Sequence, residues 1–247
     1  MPELRSPKQV LAAIPGWEAA DSRPIDGGQT NAAWLVCAGK RRGVLKIDRE
    51  PRPFPFRSRS AEAEVQRRAA ARGLANDVLF ATDTVLLTEY QSGRVLDAAD
   101  LREPATLASV AALLRSVHAM PPCGAAFDAL RAGELYAATA RQVSARRADE
   151  SLATLRAIGQ AASAVCCHND VVVGNLLDAR GLRLLDWEYA ADNDPLFDVA
   201  TVAEHHGLDR SATDSLLDAY GASDREAFEA QRARYRALYW LWRASRS

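Results

Sequence analysis

The chain has 247 residues, enough for one large domain or two lobes around a buried core, and its charged and hydrophobic fractions are those of an ordinary globular protein. A net charge of −1 gives no reason to expect a nucleic acid or a membrane surface as partner. No window of about eighteen uninterrupted apolar residues occurs, which excludes a spanning helix, and the opening MPELRSPKQV lacks the apolar core of a signal peptide.

The cysteines are Cys37, Cys123, Cys166 and Cys167, and the adjacent last pair has no zinc-type spacing. Buried reduced thiols are the expectation, which suits a cytoplasmic protein. Positive charge is nearly all arginine. The only lysines are Lys8, Lys40 and Lys46, so each is worth examining.

Residues 7–20 predict a short amphipathic helix ended by Pro15-Gly16. Pro24 to Asn31 is rich in turn residues, and Ala32–Cys37 and Val44–Ile47 read as two strands joined by the polar turn Gly39–Gly43. The glycine loop before the first of these strands suits a phosphate lid, because glycine lets backbone N–H groups approach an anion. Most such Gly pairs are merely turns. Lys46 lies among Val44, Leu45 and Ile47, and the strand alone leaves open whether it snorkels to water or is held to meet an anion.

Arg49–Ser60 holds three prolines and four arginines and is expected to be a mobile connector. A helix follows from about Ser60 to Arg72, with Glu62 and Glu64 near its start. Two residues apart, they cannot share a helix face, so at most one can pair with Lys46. Val78–Ala81 and Val85–Tyr90 complete a small antiparallel sheet. Gln91–Arg94 is a compositional break, which places a boundary near residues 90–93 and two lobes at 1–90 and 91–247. Helices are expected at about 97–119, 126–148, 149–163, 197–206, 210–220 and 224–245. Tyr235, Tyr239 and Trp242 recur at helical spacing, the pattern of core packing. His118 and the pair His205-His206 read as core or helix-terminal histidines, with no metal-ligand spacing around them.

The stretch from Cys166 to Ala200 carries the chemistry. Asp170, Asn175 and Asp186 interrupt an apolar run broken at Gly174 and Gly181, so short buried strands are predicted with polar groups at their ends. A carboxylate at the end of a buried strand is costly without a partner. Two carboxylates and an amide make a hard-oxygen site of the kind Mg²⁺ takes together with substrate phosphates. The order glycine loop, strand lysine, helix glutamate, His-x-Asp-x-x-x-x-Asn and then Asp matches the needs of phosphoryl transfer from a nucleotide.

These motifs resemble the choline/ethanolamine kinase and aminoglycoside phosphotransferase superfamily over roughly residues 22–206. Gly28-Gln29-Thr30-Asn31 is similar to its G-x-T-N loop, His168-Asn169-Asp170…Asn175 to its catalytic loop, and Leu185-Asp186-Trp187-Glu188-Tyr189-Ala190 to the D-[WF]-E-Y-[AS] segment of choline, ethanolamine and thiamine kinases. Phe197-Asp198-Val199-Ala200 resembles the element that follows. The resemblance implies an α+β, bilobal protein-kinase-like fold, with a small antiparallel-sheet lobe carrying one helix and a larger, mainly helical lobe. It implies ATP and Mg²⁺ as cofactors, with Asp170 as base beside His168 and Asn169, and Asn175 and Asp186 as metal ligands. Lys46 with Glu62 would position phosphates, Asp198 would brace the catalytic loop, and Glu89 and Tyr90 at the lobe boundary join Gly28–Asn31 in the nucleotide-binding set. The Pro/Arg-rich connector departs from the family pattern.

The same resemblance implies a small-molecule alcohol as acceptor, choline or ethanolamine first and thiamine next, with an aminoglycoside-like acceptor as a further alternative. Trp187, Glu188 and Tyr189 are assigned to a cationic substrate, with more aromatic faces available from the last helices. Two other classes remain in view: a nucleotide-binding regulator without turnover, and a metal-dependent hydrolase that would need neither Lys46 nor the glycine loop.

Overall fold

The computed structural model describes residues 6–25, 33–140, 144–161 and 163–246. The chain forms two compact units, Met1–Arg94 with Asp178–Tyr189, and Val95–Leu177 with Ala190–Ser247. The segment carrying Asp186, placed by sequence in the helical lobe, therefore folds with the first unit. Its backbone is tied there by Leu184 N–H to Leu74 O at 2.8 Å and by the Arg183 guanidinium to Ala75 O at 2.8 Å.

The first unit begins with a helix much shorter than expected, α1 (Pro7–Leu11), capped by Ser6 and Gln9 in a reciprocal box. Pro15 restricts Ile14 away from helical geometry and Gly16 turns at φ 79°, so residues beyond Leu11 form turns instead. Their side chains still do a helix's packing work: Val10, Leu11, Ile14 and Trp17 bury against the sheet. The sheet has five strands, all antiparallel, in the order β1 (Asp21–Pro24), β2 (Ala33–Ala38), β3 (Arg41–Ile47), β5 (Val85–Glu89), β4 (Val78–Ala81). β1 was not legible in the sequence because it is an exposed edge, Asp-Ser-Arg-Pro, without apolar alternation. Between β3 and β4 lies α2 (Arg59–Ala70), whose N-cap Ser58 accepts from the Ala61 N–H. On β3, Leu45 and Ile47 enter the core with Val36, Val85 and Leu87, and the period of two turns Lys46 to the other face.

The second unit starts where β6 (Arg94–Val95) ends and is mostly helical. α3 begins at Pro104 rather than near residue 97 and runs to His118, since proline suits the first helical position and a short 3₁₀ turn precedes it. α4 (Ala129–Thr139), capped by Asp128, and α5 (Ala145–Ile158) replace the two longer helices expected between 126 and 163. β7 (Val165–Cys167) pairs antiparallel with β10 (Ala191–Asn193), with Cys167 opposite Ala191. β8 (Leu176–Asp178) and β9 (Leu182–Leu184) come between them in sequence. α6 (Pro195–His205), α7 (Arg210–Tyr220) and α8 (Arg225–Arg246) complete the unit, around a core that includes Phe127, Leu155, Phe197, Tyr235 and Leu241. Gly133 on α4 permits that packing, since a Cβ there would stand 2.5 Å from a Leu155 methyl. All four cysteines are free thiols, three of them buried. No helix among the described residues is long and apolar enough to cross a membrane.

Candidate active site

In the first unit the site is a cluster of charges. Lys46 reaches Asp186 at 2.7 Å and Glu62 at 3.6 Å, with 15% of its side chain exposed. Glu62 is fully buried, whereas Glu64 points to solvent and pairs with Arg68 at 3.7 Å. The helix face that carries Glu62 thus decides which glutamate meets the lysine. Burial opposes the charge on Lys46, but Asp186 and then Glu62 outweigh it, and its pKa lies above the usual lysine value. The ammonium is fixed rather than snorkelling.

Glu62 has a second set of partners that sequence did not foresee. Its Oε2 accepts from Arg52 at 2.8 Å and from Arg59 at 2.8 Å. Arg59 is wholly buried and grips Asp48 through two nitrogens, at 2.7 and 3.1 Å. Arg52 also meets Glu188 at 2.5 Å. Burial and neighbouring Asp186 raise the Glu188 pKa, against the pull of Lys46 and Arg52. Asp186 itself sits at φ 60°, a left-handed conformation that aspartate tolerates better than most residues.

The three residues after Asp186 form a tight turn. Trp187 is fully buried, with its indole N–H donated to Leu184 O at 3.1 Å. Glu188 is turned into the arginine cluster, and Tyr189 packs on Phe56 with ring centroids 4.9 Å apart. Glu89 ends β5 opposite Gly43, and the Tyr90 N–H donates to Arg42 O while the Arg42 guanidinium lies 4.6 Å over the Tyr90 ring. Gly28, Gln29, Thr30 and Asn31 lie outside the described residues.

In the second unit the site is a hydrogen-bonded loop. β7 delivers the chain into His168-Asn169-Asp170, and both oxygens of buried Asp198 accept backbone N–H groups there, His168 at 2.9 Å and Asn169 at 2.7 Å. Asn169 stands at φ 65°, and its side chain is held by Asn193 at 2.8 Å and by Ala191 O at 3.3 Å. The Asn175 amide N–H₂ donates to both the carbonyl and the carboxylate of Asp170, each at 2.9 Å. With its donors directed to Asp170, Asn175 offers an amide oxygen to a cation. An amide oxygen here and a carboxylate such as that of Asp186 in the first unit are each hard-oxygen donors of the kind Mg²⁺ takes. His118 also reaches Asp198, at 3.1 Å, and its other ring nitrogen meets the Tyr220 hydroxyl at 2.8 Å. Burial, with Cys167 and Asp198 nearby, pushes the Tyr220 pKa up to about 12.

Sequence reasoning missed Arg52, Arg59, Asn193 and the pairing of His118 with Asp198, while the reading of His118 as a helix-terminal residue stands. Only Arg59 carried a signal, standing one helical turn before Glu62. His205 pairs with the Tyr235 hydroxyl at 2.5 Å, as a core histidine does.

The profile of the phosphotransferase enzyme family matches residues 21–238. The chain belongs to that family. A 56-residue stretch is 52% identical to protein LicA of Haemophilus influenzae, covering 22% of this phosphotransferase and 21% of that protein's length. Choline kinase LicA from Streptococcus pneumoniae superposes with a TM-score of 0.76 at 19% identity, over 92% of this chain and 85% of that one. A choline/ethanolamine kinase family protein from Mesorhizobium loti superposes with a TM-score of 0.73 at 24% identity, over 95% and 83%. At these identities the likenesses speak to fold, and the α+β, protein-kinase-like architecture expected from the sequence stands.

Proposed function

We propose that this phosphotransferase is an ATP-dependent kinase that transfers the γ-phosphoryl group to the hydroxyl of a small cationic alcohol, choline or ethanolamine. The observation that carries the reading is Lys46, an ammonium fixed on a core strand between a buried helix glutamate and Asp186. A strand lysine paired with a helix glutamate, beside a metal-holding aspartate, is the arrangement that kinases use to position nucleotide phosphates. Asp170 takes the proton of the acceptor hydroxyl as the O–P bond forms and the bond from the γ-phosphorus to the bridging oxygen of ADP breaks. Asn175, bound to the Asp170 carboxylate, orients it for that proton. Asn175 and Asp186 would hold Mg²⁺, which supplies charge neutralisation at the phosphates.

Tyr235, Tyr239 and Trp242 on α8 stack on one another with centroids 5.5 and 5.8 Å apart, and the Arg246 guanidinium lies 5.2 Å over the Trp242 ring, so this column packs as its helical spacing predicts. The acceptor class is supported by the names of the fold relatives, a choline kinase and a choline/ethanolamine kinase family protein. The test is ADP release from ATP·Mg²⁺ against choline, ethanolamine, thiamine and an aminoglycoside. Choline or ethanolamine is expected to accelerate release at least about tenfold over the acceptor-free rate, equivalent to about 1.4 kcal/mol. A response to an aminoglycoside alone would replace the acceptor, and no response from any alcohol would end the kinase assignment.

A further inference from the structure

We propose that Arg52, on the connector between β3 and α2, is the positioning residue of the turn that follows Asp186. It holds Glu188 away from Lys46 and fixes Glu62 from its far side, so that Lys46 keeps Asp186 and Glu62 as its partners. The inference rests on the phosphotransferase reading of Lys46 and Asp186.

The sequence promises only a loose Pro/Arg-rich loop here. Instead, the connector grips the turn Trp187–Tyr189 in three independent ways. Arg52 Nη1 bonds to the Glu188 carboxylate at 2.5 Å. The Arg57 N–H donates to the Glu188 carbonyl at 3.0 Å. Phe56 packs on Tyr189, and the Arg52 guanidinium lies 5.3 Å over the same Phe56 ring. Arg52 then returns to its own loop through Arg57 O at 2.8 Å, and crosses to α2 through Glu62 at 2.8 Å and to Asp48 at 3.3 Å. Only 8% of its side chain is exposed. One planar fork therefore joins the connector, the helix glutamate and the turn after Asp186. A lysine, with a single point of charge, cannot reproduce that geometry.

The charges show why the fork matters. Asp48, Glu62, Asp186 and Glu188 face Lys46, Arg52 and Arg59 in one partly dry cluster. Removing Arg52 leaves those carboxylates with two cations and takes from Glu188 its 2.5 Å ionic contact, while the approach to Arg59 at 3.7 Å stays. Without that contact Glu188, two residues from Asp186, would compete more strongly for Lys46 and for the metal. Asp186 also sits in a left-handed conformation that its surroundings must hold. Arg52 does not touch the reacting atoms; it acts through the residues that do.

The experiment uses Arg52→Ala, Arg52→Lys, Glu188→Gln and the double variant Arg52→Ala/Glu188→Gln in the full chain. The first readout is calorimetric ADP affinity with and without Mg²⁺, which needs no turnover. Arg52→Ala is expected to keep its metal-free ADP affinity within about threefold while the affinity gained on adding Mg²⁺ falls about tenfold, the usual scale for losing the support of a metal ligand. Arg52→Lys should recover part of that gain. The double variant should lose no more than Arg52→Ala, because the two residues act through one contact. With an accepted alcohol, kcat should fall while the KM for ATP moves little. A Mg²⁺-dependent gain within twofold of the parent in Arg52→Ala, or multiplying losses in the double variant, overturns the proposal. Should Arg52→Ala fail to fold, Arg52→Lys decides, and an unchanged gain there overturns it. If the parent binds ADP·Mg²⁺ but phosphorylates no alcohol, the kinase assignment has failed while the binding comparison still judges Arg52.

Discussion

All three lysines lie in the first unit and all four histidines in the second, and the polar cluster of each unit is built accordingly. In the first, buried Glu62 and Glu188 and partly exposed Asp48 and Asp186 are compensated by full charges, those of Lys46, Arg52 and Arg59. In the second, buried Asp198 is compensated by two backbone N–H groups and an imidazole, with no lysine or arginine paired with it among the described residues. A carboxylate held by ions is tuned to exchange one ionic partner for another, such as a phosphate or a metal. A carboxylate held by backbone N–H groups fixes the shape of a loop. On the proposed reading, the charged cluster would receive the phosphates and the hydrogen-bonded loop would aim Asp170.

The sharpest way to break that contrast is to silence the aimed side chain alone. Asp170→Asn preserves the shape of the loop and removes the proton acceptor. Turnover is expected to fall on the order of 10³–10⁴-fold, with ADP·Mg²⁺ affinity nearly unchanged. Acceptor-dependent ADP release paired with calorimetry checks both arms, and parent-like turnover would remove Asp170 from its role. A smaller effect is expected from the charged half. Lys46→Met leaves Asp186 facing Glu62 without their shared cation, and kcat should fall about 10²-fold, the cost of losing one preorganised electrostatic contact. Unlike Asp170→Asn, this variant should also weaken nucleotide binding. If both variants showed the same split between kcat and nucleotide affinity, the two halves would not divide the work as their chemistry suggests.

How much of this was legible depends on where each interaction gets its energy. Strands β2 to β5, α2 and the later helices were visible because apolar periodicity reflects burial, and the site loop was visible because polar residues interrupt an apolar run. Helix geometry said only that one of Glu62 and Glu64 at most could meet Lys46; the family resemblance pointed to Glu62, and the buried helix face carries it. Ends failed where capping or proline chemistry outweighed periodicity, as at Leu11 and Pro104. The pairings of Arg52 and His118 were invisible for a different reason. Their partners, Glu188 and Asp198, lie 136 and 80 residues away, and no local pattern encodes a contact at that separation.

The smallest predicted effect tests the placement of the histidines. His206 follows α6 with its ring 4.8 Å from that of His205, and its Nε2 has no hydrogen-bond partner among the described residues. Burial first, and then His205, pushes its pKa from 6.5 down to about 4. The unfolded chain therefore takes up a proton near the upper value, while the folded chain resists until the lower one. Between them the unfolded state binds more protons, so stability is full above that window and declines as pH falls through it. His206→Gln removes this linkage. Its melting temperature should change less between pH 7 and pH 4 than the parent's, a difference of a few degrees at most because the ring is partly hydrated. Calorimetric melts across that range check it, and parallel acid limbs for the two proteins would show that His206 is no more difficult to protonate in the fold than in the open chain.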